Sequence, residues 1–237
     1  ATITSAGTYT VTATASNGCI DTEAITVTSN TTAPTAGITN NTGTTELTCA
    51  TISINVTATG GDSYSWDNAL GTNAAATITS AGTYTVTATS ANGCTDTESI
   101  AVTSNTTAPT AAAGSDFTKT CSSNSSGAAI GESSASGYTY SWSPSGGLSS
   151  STAANPTANP SSTTTYTVTK TTTANGCTDT DAVEVTVNTT APTAGITNNT
   201  GTTELTCATT SISVTATGGS SYSWDNSLGS NAGATIS

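Results

Sequence analysis

Histidine, arginine and methionine are absent from this 237-residue chain, phenylalanine occurs once, and charged residues make up only 7 % of it. Without histidine there is no Ser-His-Asp or Cys-His machinery, no imidazole metal ligand and no switch near neutral pH. The two basic side chains, Lys119 and Lys170, stand against 14 acidic ones, for a net charge of −12. Such a chain cannot neutralise phosphates, so nucleic acid and anionic lipid are poor partners. No apolar run approaches the roughly 20 residues that cross a bilayer, so membrane insertion is not expected, and no basic-then-apolar signal opens the chain. The chain begins in mid-pattern, which predicts that any signal and anchor lie outside it. A soluble, exported piece of a longer protein is expected.

What the sequence has is threonine, about a quarter of all residues, and repetition. ATITSAGTYTVTATASNGC at 1–19 returns as ATITSAGTYTVTATSANGC at 76–94, and TTAPTAGITNNTGTTELTC at 31–49 returns letter for letter at 189–207. Asn-Gly-Cys occurs at 17–19, 92–94 and 175–177. Proline fixes its own φ and extends its predecessor, so the recurring Thr-Ala-Pro-Thr reads as a short stiff linker. The linkers divide the chain into the C-terminal part of one repeat (1–31), a complete repeat (32–106), a longer and divergent complete repeat (107–189) and the N-terminal part of another (190–237). We refer to these as units one to four.

Within a unit the hydrophobic period is two. Ile52, Ile54, Val56 and Ala58 share one parity and Thr51, Ser53, Asn55 and Thr57 the other, which predicts a half-buried strand ended by Gly60-Gly61. Tyr64 and Trp66, then Tyr84, Val86 and Ala88, and finally Ile100 and Val102 continue the pattern, and no segment sustains a period of 3.6. Short strands with turn signals every ten or so residues predict an all-β fold: tandem immunoglobulin-like β-sandwiches in an extended array. Threonine suits this, being β-branched and giving a polar outer face without charge.

A cysteine before a strand, Gly-Gly, Tyr-x-Trp, Ala-Gly-Thr-Tyr-Thr-Val-Thr and Asn-Gly-Cys-Thr-Asp together resemble the repeats of SprB-type gliding-motility adhesins, and the broader PKD-like and immunoglobulin-like modules of Bacteroidota giant surface proteins. The likeness covers essentially the whole chain, and unit three, with YSWSPSGGLSSSTAANPTANPSSTTTYTVT, is similar to the generic PKD-like kind. The resemblance implies an extracellular, cell-surface filament exported by type IX secretion and, in gliding members, moved along the cell by a motor.

Six cysteines recur at matching places. In an exported chain they predict disulfides, Cys49 with Cys94 and Cys121 with Cys177 inside each whole unit, leaving Cys19 and Cys207 to partners outside the sequence. The rival scheme joins Cys19 to Cys49, Cys94 to Cys121 and Cys177 to Cys207. Each Asn-Gly-Cys is followed by an acidic doublet, Asp21/Glu23, Asp96/Glu98 and Asp179/Asp181. These residues share the parity of the core-facing Ile25/Val27, Ile100/Val102 and Val183/Val185. They are candidate Ca²⁺ ligands at a unit junction, or simply a solvated strand end that blunts edge pairing. No other cofactor and no enzymatic activity are expected, since paired carboxylates on one strand of a repeated module form no cleft. The lysines are expected at the surface, though a lysine beside asparagine in a buried acidic setting could form an isopeptide bond. Asn30, Asn40, Asn55, Asn105, Asn124, Asn188 and Asn198 begin Asn-x-Ser/Thr triplets. Tyr64, Trp66, Trp142 and Trp224 are read as core plugs rather than sugar-stacking platforms.

The expected role is mechanical: a structural stretch of a long surface adhesin that projects a distal binding region and bears tension. Its partners would be neighbouring repeats, with a surface glycan bound by regions outside this stretch. Two other readings stand beside it, a glycan-binding repeat and a laterally self-associating fibre subunit.

Overall fold

A computed structural model describes all residues, 1–237. It is all-β, with 18 strands and no helix. Unit two shows the plan. Its strands are β3 (Gly37–Asn40), β4 (Glu46–Thr48), β5 (Ile54–Thr59), β6 (Ser63–Trp66), β7 (Ala75–Ile78), β8 (Gly82–Thr89) and β9 (Thr95–Asn105). They form two sheets, β3-β5-β7 and β4-β9-β8-β6, packed face to face. This is an immunoglobulin-like β-sandwich, as the alternation predicts. Ile54, Val56, Trp66, Ile78, Tyr84 and Val86 fill the space between the sheets, while the intervening Asn55 and Thr77 pair by a side-chain hydrogen bond on the outer face. The Trp66 indole N–H donates to the Asn73 carbonyl, so a buried polar atom is satisfied as the core closes. The Tyr84 hydroxyl reaches back to the Ser80 carbonyl, the tyrosine corner of such sandwiches.

One crossing sets the geometry of everything below. Between β3 and β4 the chain changes sheets through an asparagine turn, in which the Asn40 side chain accepts from the N–H groups of Thr42 and Gly43 and donates to the Thr44 carbonyl. The crossing brings β4 alongside β9 in parallel, with Thr48 opposite Asn105. Every other pairing in the unit is antiparallel.

Unit three contains β10 (Phe117–Thr120), β11 (Ala128–Ala129), β12 (Tyr138–Ser143), β13 (Thr157–Ala158), β14 (Thr164–Thr172) and β15 (Thr178–Asn188). The sheet β10-β15-β14-β12 repeats the β4-β9-β8-β6 sheet, with β10 parallel to β15 and Thr120 opposite Asn188. Opposite it lies only the short pair β11-β13. Trp142 is the plug here, its indole N–H on the Ala153 carbonyl. The largest departure from the expected surface chemistry is Lys170. It lies at the position of Ala88 in the Tyr-x-Val-x-Ala pattern and is only 8 % exposed, not at the surface. Its ammonium pairs with Glu132, donates to the Thr110 carbonyl and lies 4.5 Å from the centre of the Tyr138 ring. Tyr140 donates its hydroxyl proton to the same glutamate.

Unit one supplies β1 (Gly7–Thr14) and β2 (Ile20–Val27), which pair in the register of β8 and β9: Gly7 faces Val27 as Gly82 faces Val102. Val11 and Ile25, the equivalents of Val86 and Ile100, are 65 % and 61 % exposed. Unit four supplies β16 (Gly195–Asn198), β17 (Ile212–Thr217) and β18 (Gly233–Ile236), arranged as β3-β5-β7.

Candidate functional site: the junction between repeats

Side chains from different units meet at the junctions, and the Asn-Gly-Cys tripeptide is the common participant. It closes the turn between β8 and β9, between β14 and β15, and between β1 and β2. In each, the asparagine side-chain oxygen accepts the cysteine N–H: Asn17 from Cys19, Asn92 from Cys94, Asn175 from Cys177. In Asn92 and Asn175 the amide end of the same side chain reaches back across the junction. Asn175 donates to the Asn105 side-chain oxygen at 3.1 Å and to the Thr107 carbonyl at 3.0 Å. Asn92 repeats this one junction earlier, donating to the Asn30 side chain and to the Asn30 and Thr32 carbonyls. The asparagine is thus a hook that holds the linker leaving one unit against the turn of the next. Asn175 is 4 % exposed. Asn30 and Asn105, two of the Asn-x-Thr positions, have their side-chain oxygens occupied in this way.

The glycine has a steric role at the second junction. Gly176 has φ +69°, a left-handed value that glycine adopts without strain. A Cβ there would lie 2.8 Å from that of Ala50, so only glycine admits this approach of the two units. The Ala50 N–H donates to the Asn175 carbonyl across the gap.

The cysteine completes the junction. Cys49, just beyond β4 of unit two, is bonded to Cys177, just before β15 of unit three, with Cα atoms 5.0 Å apart. This corrects both expected pairing schemes. Cys49 follows the residue opposite Asn105, at the C-terminal end of β9, whereas Cys94 precedes Thr95 at its N-terminal end. Eleven residues of strand hold the two about 35 Å apart, several times the span of a disulfide. The parallel β10–β15 pairing separates Cys121 from Cys177 in the same manner. The rival scheme fails for a related reason, because it joins opposite poles of adjacent units. Cys94 lies at the end of unit two that meets the preceding unit, its near end, and Cys121 at the end of unit three that leads to the next unit, its far end. Only the far-end cysteine of one unit and the near-end cysteine of the next are neighbours. Cys19, Cys94, Cys121 and Cys207 are thiols here.

The acidic doublets serve the same region. Asp96 accepts the Ala36 N–H at 2.9 Å, Asp179 that of Ala111 at 2.9 Å and Asp181 that of Ala113 at 2.8 Å. A carboxylate of core-facing parity is therefore compensated by backbone N–H groups of the incoming linker, which have no strand partner there. The N–H groups of Ala113 and Ala182 hold the Asp181 carboxyl below its ordinary value. Glu23 and Glu98 are exposed, and Asp21 accepts the N–H of its neighbour Thr22. No three histidine, cysteine, aspartate or glutamate side chains converge in a cation-sized group.

Neither lysine has the setting of an isopeptide bond. Lys170 has a carboxylate beside it but no asparagine, and Lys119 contacts Asn159 and the Pro160 carbonyl but no carboxylate.

The fold and this junction define a class: tandem immunoglobulin-like β-sandwiches joined both by a linker and by an inter-unit disulfide. No protein-family profile and no curated protein matches the chain. Among solved structures it is similar to the N-terminal eight Ig domains of Down Syndrome Cell Adhesion Molecule, at 11 % identity over 90 % of this chain and 36 % of that one, TM-score 0.33. It is likewise similar to the fibronectin(III)-like modules of Clostridium thermocellum CbhA, at 14 % identity over 65 % of this chain and 95 % of that one, TM-score 0.32. The third is extracellular cadherin domains 3–6 of protocadherin gamma B2, at 12 % identity over 83 % and 60 %, TM-score 0.28. The chain spans about a third of the first of these.

Proposed function

We propose that this chain is a structural, tension-bearing stretch of a long extracellular adhesin or surface filament, of the kind its repeats resemble in SprB-type gliding adhesins. The observation that carries this reading is the Cys49–Cys177 bond between units, reinforced by the Asn175 hook. A bond within a unit would stabilise a bead, whereas a bond between units stiffens the string. Disulfides persist in oxidising surroundings, which supports a location outside the cell. The net charge of −12 keeps near-identical neighbours soluble and apart. We further propose that the protein has no enzymatic role, and that hook and disulfide, rather than a cation, stiffen the junction. The carboxylates that could ligate calcium accept linker N–H groups instead.

The glycan-binding reading has less support. It asks for exposed aromatics recurring in every unit, and Trp66 and Trp142 are buried with their indole N–H groups already bonded. The test is single-molecule stretching of the chain with and without reductant. A junction that bears load gives a first extension event that lengthens when the disulfide is reduced. Identical force–extension traces in both conditions would remove the mechanical reading. Beads carrying antibody to the repeat, followed on living source cells, then separate a propelled adhesin from a stationary stalk.

A further inference from the structure

We infer that the Cys49–Cys177 bond is one rung of a continuing ladder. Cys121 is the cysteine that bonds to the Asn-Gly-Cys of a unit placed after unit three, and Cys94 bonds to the far-end cysteine of a unit placed before unit two. Two independent features of the structure support this. The first is the far-end turn. Thr48 accepts from the N–H groups of Ala50 and Thr51, Thr120 from those of Ser122 and Ser123, and Thr206 from those of Ala208 and Thr209. Cys49, Cys121 and Cys207 therefore sit in one and the same turn. In units two and three this turn is fixed beside the linker asparagine by the parallel register, Thr48 to Asn105 and Thr120 to Asn188. The second is the near-end turn, which Asn17, Asn92 and Asn175 close in the same way, whether or not its cysteine is bonded. Asn92 already hooks Asn30 in the geometry by which Asn175 hooks Asn105. Both halves of every rung are thus preformed, and the hook that aligns them is in place at a junction where no disulfide is seen.

The connectivity has a consequence that neither turn shows alone. Each unit sends its two cysteines to different neighbours, so each junction is crossed twice, once by the backbone and once by a disulfide. Followed along covalent bonds, the chain separates into two tracks. One runs from Cys19 along the backbone to Cys49, crosses to Cys177 and continues to Cys207. The other runs from Cys94 to Cys121. The tracks alternate, one crossing a junction by sulfur where the other crosses it by peptide. Residues 50–93 and 122–176 lie on neither track and only bridge one to the other, so tension shared along the two tracks bypasses strands β5 to β8 and β11 to β14.

Each rung forms by oxidation of two thiols, with two protons and two electrons passing to a small-molecule disulfide such as oxidised glutathione, which becomes two thiols. The test extends the chain at Ser237 with a second copy of its own residues 80–106, which completes unit four and supplies one further Asn-Gly-Cys. After oxidation in a glutathione buffer and alkylation of free thiols, peptides are mapped without reduction. The expected result is two bonds, Cys49–Cys177 and Cys121 to the added cysteine, with Cys19, Cys94 and Cys207 alkylated. A bond from the added cysteine to Cys207, or an added cysteine that stays alkylated, overturns the ladder. The 237-residue chain supplies a check that needs no extension. In Cys49→Ser, Cys177 is expected to remain a thiol, and a bond from it to Cys121 or Cys207 overturns the pairing rule.

Discussion

Truncating Asn175 to alanine separates the hook from the disulfide it aligns. The side chain makes three hydrogen bonds, one to Asn105 of the preceding unit, one to Thr107 of the linker and one from the Cys177 N–H. The acceptors, Asn105 of the preceding unit and Thr107 of the linker, reach solvent and recover water on truncation, so each bond contributes about 1 kcal/mol net, or roughly 2 kcal/mol for holding the linker docked between the two units. The Cys177 N–H has no such recourse, because Cys177 is only 1 % exposed, and orphaning it costs a further ~1–3 kcal/mol, mainly within unit three. Docking and disulfide formation draw on the same proximity. A loss of about 2 kcal/mol in docking therefore lowers the effective concentration of one thiol at the other by roughly 30-fold, since each 1.4 kcal/mol is a factor of ten. The assay is the equilibrium of the Cys49–Cys177 bond in buffers of reduced and oxidised glutathione, read by alkylation and mass. Asn92→Ala, at the other junction, is the control and is expected to leave this equilibrium unchanged. A shift below threefold in Asn175→Ala, or the same shift in both variants, would refute the assignment of the hook to inter-unit alignment.

Three further outcomes are expected. Glu132→Gln leaves the buried Lys170 charged without its carboxylate, destabilising unit three by roughly 2 kcal/mol, below the ~3–5 kcal/mol of a fully buried pair because Glu132 keeps 24 % exposure; urea denaturation checks it. The lysine holds the Glu132 carboxyl below its ordinary 4.5, and the glutamate raises Lys170 above its ordinary 10.5. The pair's contribution is therefore complete between those values. It is lost as pH falls below 4.5 through the lowered glutamate value, or rises above 10.5 through the raised lysine value, and Glu132→Gln flattens the acid limb in a melting-temperature series. Trp66→Ala empties the centre of unit two and costs about 3–5 kcal/mol by chemical denaturation followed by circular dichroism. Millimolar Ca²⁺ or a chelator leaves the melting temperature unchanged, and a rise with calcium would return Asp96 and Asp179 to the role of metal ligands.

The sandwich was legible in the sequence because one face of each strand is buried and the period of two records it directly: Ile54, Val56, Tyr84 and Val86 all point as read. The parity of Asp96 and Asp179 was legible too, though not its purpose, which depends on N–H groups arriving from a linker some 60–70 residues away. Lys170 carried a readable signal, occupying the place of Ala88 in the repeat, but composition argued for the surface more strongly. The disulfide was hidden for a different reason. Periodicity says which face a residue occupies and nothing about which end of the sandwich it lies at. Cys49 and Cys94 change from neighbours to opposite poles once β4 runs parallel to β9.

The sequence separation of 128 from Cys49 to Cys177 also sets an order of events. A chain emerging from its N-terminus delivers Cys49, then Cys94 and Cys121, and only afterwards the partner that Cys49 requires. First come, first joined would give the wrong bonds at every step. What prevents this is position: folding of unit two carries Cys49 to the opposite pole from Cys94, so its thiol stays open until the Asn-Gly-Cys of the next unit docks against it. An unpaired Cys49 is thus a chemical record that the unit behind it has not yet docked.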